Sequence, residues 1–207
     1  MDQTVSAIVV MGVAGCGKSS VAHALAARLG GRFIEGDAFH PATNVEKMRR
    51  GIGLVDADRW GWLDRLAAEL KDACERGERV VLACSALKRR YRERLRLGSP
   101  ATGFVFLSLP QEEAAKRVGT RSGHFMPDSL VASQFADLEA PVDEAAILTV
   151  DATRPLDAIV DQAFDWHRDT VLDGGYSSVT RDSAVFGDAP SHAGNRCAMA
   201  APFPVQR

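Results

Sequence analysis

Short apolar runs alternate along the chain with longer stretches in which apolar residues recur every three or four positions. The apolar runs predict five β-strands, at residues 5–11, 32–36, 79–84, 103–109 and 146–150. Runs such as VSAIVVM and GFVFLSL are apolar almost throughout, which is typical of strands that helices cover on both faces. Strands that alternate with helices in this way predict an α/β fold, in which a five-stranded parallel sheet is flanked by helices.

Three stretches carry apolar residues at helical spacing, and each predicts a helix face buried in the core. The first follows the first strand and consists of Val21, Leu25 and Leu29. The second is interleaved with the basic residues of 88–96 and consists of Leu87, Tyr91 and Leu95. The third is the longest and consists of Leu156, Ile159, Val160, Ala163 and Phe164.

Length and composition fit one domain. The chain has 207 residues, 46% hydrophobic and 25% charged, with a formal net charge of −2. This charge argues against a protein built to coat nucleic acid or an anionic membrane. Residues 173–207 are rich in Gly, Pro, Ser and Ala and show neither period. We therefore expect one folded domain over residues 1–172 and a disordered tail over 173–207.

The four cysteines, Cys16, Cys74, Cys84 and Cys197, lack the close spacing of a zinc or redox site. We interpret them as reduced thiols, which predicts a cytoplasmic protein. The first apolar run is too short for a signal peptide or a membrane span, so no membrane association is expected.

A phosphate-binding loop stands directly after the first strand. Residues 12–19, GVAGCGKS, fit the pattern GxxxxGK[ST] between a strand and a helix. Its glycines allow backbone N–H groups to turn toward phosphate oxygens, Lys18 would reach the β- and γ-phosphates of ATP, and the Ser19 hydroxyl would ligate Mg²⁺. The predicted nucleotide contacts are Gly12, Val13, Ala14, Gly15, Cys16, Gly17, Lys18, Ser19 and Ser20.

The second predicted strand ends in polar residues. Asp37 and His40 follow it, and the carboxyl ends of parallel strands line the ligand crevice. A carboxylate there can accept a hydroxyl proton or hold a magnesium-bound water. In the alternative interpretation, Asp37 caps a helix and His40 packs on Pro41. The NKxD sequence typical of GTPases is absent.

Several further motifs follow in a fixed order. They are EGDAFHP at residues 35–41, the segment 54–63 with Asp56, Asp58, Arg59 and Trp62, CSALK at 84–88, RSGHFM at 121–126 and Gln134-Phe135. Over residues 5–170 this series resembles bacterial-type gluconokinase. The chain differs from the usual family pattern at Glu35, Gly53 and Gly61, where Asp, Pro and Pro are common.

The resemblance implies a P-loop kinase fold with a short lid, like that of shikimate and nucleoside monophosphate kinases. It implies transfer of a phosphoryl group from ATP to D-gluconate, with Mg²⁺, giving 6-phospho-D-gluconate. Members of the family are often homodimers.

The acceptor carries one carboxylate and several hydroxyl groups. Arg59 suits the carboxylate because its planar guanidinium can bind both oxygens, although an ion pair with Asp56 or Asp58 is the alternative. Asp37 and His40 are predicted beside the acceptor hydroxyl, and Ser85 and Lys88 follow the third strand at the same edge.

Residues 116–124 combine cations with two glycines between helical segments, which is typical of a closing lid. From this segment we expect Arg121 to stabilise the transferring phosphoryl group, Arg117 to contact the nucleotide and His124 to contact the acceptor. The alternative is a solvated basic turn.

A cluster of cations, Lys88, Arg89, Arg90, Arg92, Arg94 and Arg96, falls on one predicted helix. We interpret it as a solvated helix face, because it has no interleaved aromatic residue other than Tyr91 and no recognised nucleic-acid module. Two other functions stay open: another P-loop kinase with shikimate, a nucleotide or a different sugar acid as acceptor, and a noncatalytic nucleotide-binding module.

Overall fold

A parallel sheet forms the centre of the molecule in the computed structural model, which describes residues 5–120 and 128–172. Within these residues the sheet has five strands in the order β2-β3-β1-β4-β5. Their bounds are β1 Ala7–Met11, β2 Arg32–Glu35, β3 Val80–Ala83, β4 Thr102–Ser108 and β5 Ile147–Asp151. Because β1 is central, the loop that follows it opens at the middle of the sheet edge.

Helices fill the connections between the strands. A short 3₁₀ helix, Gly36–Phe39, continues β2. The α-helices of the described residues are α1 Lys18–Leu29, α2 Ala42–Arg49, α3 Asp56–Glu75, α4 Arg89–Arg96, α5 Gln111–Gly119, α6 Asp128–Asp137 and α7 Leu156–Leu172.

The core consists of two apolar layers, one on each face of the sheet. Alternate residues of a strand point to opposite faces, so Ile8 and Val10 of β1 join one layer and Val9 joins the other. Helices α1, α5, α6 and α7 cover the first face, and α3 and α4 cover the second. Both faces of the sheet are thus buried, as the nearly continuous apolar runs predict.

The predicted fold class is confirmed, and every predicted strand lies within two residues of an observed one. Two of the helix stripes are buried as predicted. In the third, Leu156 is exposed, contrary to the prediction, because it is the first residue of α7 and precedes the buried face.

Among the described residues, we find no helix long and apolar enough to cross a membrane. Residues 173–207 and residues 121–124 of the predicted lid lie outside the described part of the chain.

Candidate active site

One pocket, of about 350 Å³, lies at the carboxyl ends of β1, β2 and β3. This is the edge at which ligands bind in open parallel sheets. Its wall includes residues from the phosphate-binding loop, the end of β2, helix α3, the turn after β3 and helix α6. The lining residues are Ala14, Gly15, Gly17, Lys18, Ser19, Glu35, Asp37, His40, Met48, Gly53, Leu54, Arg59, Ser85, Val118, Leu130, Ser133 and Gln134.

The phosphate-binding loop has the backbone that its glycines predict. Gly12 has φ 140°, and a Cβ at this position would lie 2.8 Å from the carbonyl oxygen of Leu107. Gly17 has φ 94° and immediately precedes α1, so the loop runs into a helix N-terminus, where N–H groups and the helix dipole attract anions. Val13 and Cys16 are buried beneath the loop, and Ser20 is exposed.

Two polar contacts hold this loop. The Lys18 ammonium donates to the carbonyl oxygen of Val13, at 2.9 Å. The backbone N–H of Ala14 donates to Oε1 of Gln134 in α6, at 2.7 Å. Helix α6 therefore contacts the phosphate-binding loop directly.

The acceptor side of the pocket begins at the end of β2. The Asp37 side chain is 73% exposed, and its carboxylate lies 4.0 Å from Nε2 of His40. The His40 ring is buried and stacks on Trp62. Burial lowers the pKa of His40, as does the charge of Arg59, whereas Asp37 opposes the decrease. His40 is thus favoured in its neutral form, in which one ring nitrogen can accept a hydrogen bond.

Arg59 of α3 supplies a buried cation at the same side of the pocket. Its Nε and Nη2 groups donate to the Leu54 carbonyl oxygen, at 3.4 and 3.3 Å. Its charge partner is Asp137 of α6, at 3.8 Å, rather than Asp56 or Asp58 as the alternative interpretation expects. This loose ion pair leaves the guanidinium able to bind a substrate carboxylate.

Lys88 lies behind this wall rather than on it. Its ammonium contacts carboxylate oxygens of Asp137 at 2.9 Å and Asp56 at 3.1 Å. These contacts raise the pKa of Lys88, with the hydrogen bond to Asp137 making the largest contribution. Lys88 therefore ties α3, α4 and α6 together, and its predicted contact with the acceptor stays a prediction.

The turn after β3 brings Ser85 to the pocket, as predicted. The Ser85 carbonyl oxygen accepts a hydrogen bond from the Gly12 N–H, at 3.2 Å, which joins this turn to the phosphate-binding loop. The neighbouring Cys84 is buried, and burial raises the pKa of its thiol to about 12. Its thiol is therefore not a nucleophile at neutral pH.

The structure does not bring Arg117 to the pocket wall. Its guanidinium donates to Glu113 at 2.8 Å and to the Ala152 carbonyl oxygen at 2.9 Å. Arg121 and His124 lie outside the described residues. Roles for these three residues in binding or catalysis stay predictions.

The basic helix α4 is not simply a solvated face, because Arg92 is completely buried. Its other cations pair with acidic side chains: Arg89 with Glu93, Arg90 with Asp56 and Arg94 with Asp64. The interpretation as a solvated face is thus correct for the exposed arginines and wrong for Arg92.

Six residues of the pocket wall had no individual role in the sequence prediction: Met48, Leu54, Val118, Leu130, Ser133 and Gln134. Glu35 and Gly53 were named only as differences from the family pattern. Gln134 belongs to a motif that carries the resemblance, but only the fold brings it to Ala14, 120 positions earlier in the chain. Leu54, Leu130 and Met48 are apolar, and nothing in the sequence around them distinguishes a pocket residue from a core residue.

Fold and site together define a P-loop kinase with a small-molecule acceptor. A family model described as an AAA domain matches residues 8–145. The crystal structure of a gluconokinase from Sinorhizobium meliloti superimposes with a TM-score of 0.75 at 44% identity, and the match covers 82% of this chain and 95% of that one.

Sequence comparison shows which family of P-loop kinases the chain belongs to. A gluconokinase from Gluconobacter oxydans is 46% identical over 155 residues, which is 75% of this chain and 87% of that protein. The thermoresistant gluconokinase of Escherichia coli is 40% identical over 154 residues, 73% of this chain and 87% of that protein. The chain belongs to the gluconokinase family.

Proposed function

We propose that this protein transfers the γ-phosphoryl group of ATP to the 6-hydroxyl of D-gluconate, giving ADP and 6-phospho-D-gluconate. One observation carries the proposal: a single pocket joins the phosphate-binding loop, with Lys18 and Ser19, to a wall with Asp37, His40, Arg59 and Ser85. Phosphoryl transfer requires donor and acceptor oxygens to be held in line within one water-poor site, and this continuous pocket can hold both.

On the nucleotide side, the loop amides and the N-terminus of α1 would hold the phosphates. Lys18 would leave the Val13 carbonyl oxygen and neutralise charge on the β- and γ-phosphates. The predicted contact of Arg121 would add a second cation there.

On the acceptor side, each residue type matches one group of gluconate. Arg59 would bind the carboxylate, because its paired donors match two oxygens. Ser85 and neutral His40 would hydrogen-bond the hydroxyl groups. Asp37 is exposed to the pocket and would accept or orient the proton of the attacking hydroxyl.

The residues present also suit Mg²⁺, which prefers oxygen ligands and retains several waters. Ser19 offers a hydroxyl, and Glu35 and Asp37 offer carboxylates on the same pocket wall. When bound, Mg²⁺ would neutralise negative charge on the phosphates of ATP. Ser19 would be its direct ligand, and Glu35 would contact its waters.

The proposal also covers the cellular location and the oligomeric state of the enzyme. A cytoplasmic homodimer is expected from the reduced thiols and the family resemblance. Light scattering of the purified protein tests the dimer independently of its activity.

A substrate panel tests the proposed reaction. The purified protein is incubated with ATP, Mg²⁺ and one of several acceptors, namely D-gluconate, other sugar acids, shikimate or nucleoside monophosphates. We expect a phosphomonoester at the primary hydroxyl of gluconate in ³¹P NMR spectra. Preferential phosphorylation of shikimate or a nucleotide would assign a different kinase activity, and nucleotide binding without any acceptor product would indicate a noncatalytic module.

A further inference from the structure

The turn between β3 and α4 contains an alanine in the left-handed backbone region. Ala86 has φ 42°, and its side chain is completely buried. Residues other than glycine adopt this region rarely, because Cβ crowds the backbone, and they keep it only where surrounding contacts hold them. Since Ser85 directly precedes Ala86, the conformation of Ala86 determines where the strand end presents Ser85 to the pocket.

The side chain of Arg92 holds this turn from α4. Its Nη1 group donates to the carbonyl oxygen of Ala86, at 3.1 Å, and to that of Leu87, at 3.0 Å. The Leu87 oxygen also accepts from the backbone N–H of Glu139, at 2.9 Å. Two consecutive carbonyl groups are thus fixed by one guanidinium that is itself inaccessible to solvent.

Glu144 holds the other side of that guanidinium. Arg92 Nε lies 3.1 and 3.0 Å from the two carboxylate oxygens of Glu144, and its Nη2 also contacts the first of them. Burial alone would raise the pKa of Glu144, but Arg92 and Arg96 together bring this pKa below its ordinary value. The carboxylate therefore stays charged and keeps the guanidinium in one orientation.

A buried ion pair is weak evidence for stability, because desolvation of both charges offsets their attraction. In this protein the informative feature of the ion pair is its geometry, because the Arg92 guanidinium lies between the Glu144 carboxylate and the two carbonyl groups of the turn. The same turn reaches the phosphate-binding loop, because the Gly12 N–H donates to the Ser85 carbonyl oxygen. The ion pair thus acts on the segment that separates the two halves of the active site.

We propose that Arg92, held by Glu144, is a positioning residue for the acceptor: it fixes the left-handed Ala86 turn so that Ser85 faces the bound substrate. The proposal rests on the proposed function for the identity of that substrate. Arg92 itself does not touch the pocket, so its effect on the reaction passes through Ser85.

The test compares two arginines that share Glu144. Arg92→Met removes the contacts to the turn, and Arg92→Lys keeps a positive charge but loses the planar fork. Arg96→Met is the matched control, because Arg96 contacts Glu144 at 3.3 Å and the Ala145 carbonyl oxygen but not the turn. For each variant, KM is measured for gluconate and for ATP, together with the thermal midpoint.

We expect both Arg92 variants to raise the KM for gluconate by about tenfold, the effect of one hydrogen bond to the substrate. Their KM for ATP should stay within about twofold of wild type, as should both constants for Arg96→Met. An unchanged gluconate KM in Arg92→Lys, or equal losses for both substrates, would overturn the proposal. If Arg92→Met does not fold, the gluconate KM of Arg92→Lys tests the proposal.

A substitution at Ala86 tests the strain directly. Glycine adopts φ 42° without crowding, so Ala86→Gly relieves the strain, but it also removes a buried methyl group, so the gluconate KM and not the thermal midpoint is compared. In the Arg92→Lys background, Ala86→Gly should lower the gluconate KM part of the way to the wild-type value. No such decrease in the double variant would contradict a strained turn held by Arg92.

Failure of this proposal differs from failure of the proposed function. If the wild-type protein phosphorylates a different acceptor of the panel, the proposed function is wrong, and the same comparison is made with that acceptor. A selective acceptor effect in the Arg92 variants would then still support the positioning role.

Discussion

The imidazole ring of His40 lies nearly parallel to the indole ring of Trp62, with ring centroids 4.1 Å apart. Trp62 also donates its indole N–H to the carbonyl oxygen of Gly36, at 2.8 Å. One buried side chain of α3 therefore holds both the backbone before Asp37 and the ring of His40. This arrangement fixes the acceptor side of the pocket to the core of the protein.

Replacement of Trp62 by Phe should keep the ring contact but remove the donor to Gly36. The unpaired carbonyl oxygen and the lost volume should lower the free energy of unfolding by about 1–3 kcal/mol. Urea denaturation measures this change. Trp60→Phe is the control, because Trp60 is only half-buried and contacts the edge of Tyr91. Equal effects of the two variants would contradict a special role for the indole N–H of Trp62.

Stability should depend on pH through His167. This histidine is buried in α7, its Nδ1 atom has no hydrogen-bond partner within the described residues, and burial lowers its pKa. As pH falls below the ordinary histidine value of about 6.5, the unfolded chain takes up a proton that the folded chain resists. The free energy of unfolding should therefore decrease from pH 7.5 to 5.5. His40 should act in the same direction, because its pKa is also lowered.

A leucine at position 167 isolates this contribution. His167→Leu should show a smaller decrease in the thermal midpoint between pH 7.5 and 5.5 than the wild-type protein does. The comparison uses the pH dependence within each variant, so a constant difference in stability between the two proteins does not affect it. An identical decrease in both would show that His167 titrates normally.

Gln134 should support nucleotide binding from α6. Gln134→Leu leaves the Ala14 N–H without its partner, so the affinity for ATP should fall by roughly threefold to tenfold, the value of one hydrogen bond. Isothermal titration calorimetry measures this affinity. Ser133→Ala is the matched control, because Ser133 lines the same pocket and is the neighbouring residue of α6. Tighter ATP binding by Gln134→Leu would mean that this contact competes with the nucleotide.

Asp37→Asn should slow phosphoryl transfer without preventing ATP binding. The amide keeps the size of the carboxylate but cannot accept the hydroxyl proton, so kcat should fall by about 10²- to 10⁴-fold. The rate at saturating gluconate is measured beside the ATP affinity of the same variant. A collapse of ATP affinity with a normal saturated rate would place Asp37 in the nucleotide or metal site instead.

Local sequence patterns predicted those parts of the site that lie at strand ends. The phosphate-binding loop, Asp37 and Ser85 each follow a strand directly, and parallel strands present their carboxyl ends at one edge. Arg59 was predicted from its chemistry and the family resemblance, and the structure places it on the pocket wall. For the residues at strand ends, sequence position determines the approximate place in the fold.

Contacts between distant segments could not be predicted in the same way. Arg92 occurs in a run of cations that indicates an exposed face, and only Glu144, 52 positions later, accounts for its burial. Lys88 has the charge expected of a substrate contact, but Asp56 and Asp137 already bind its ammonium. Such pairings depend on how α4 packs against α3, α6 and the segment before β5, which the period of a single helix does not specify.

The most direct test of the proposed function is ADP release by the purified protein at saturating ATP and Mg²⁺, with and without D-gluconate. The proposed function predicts that gluconate increases the rate by orders of magnitude, that one 6-phosphogluconate forms per ADP, and that Lys18→Ala abolishes both products while the protein stays folded. ADP release that does not depend on gluconate, or that persists in Lys18→Ala, would contradict it.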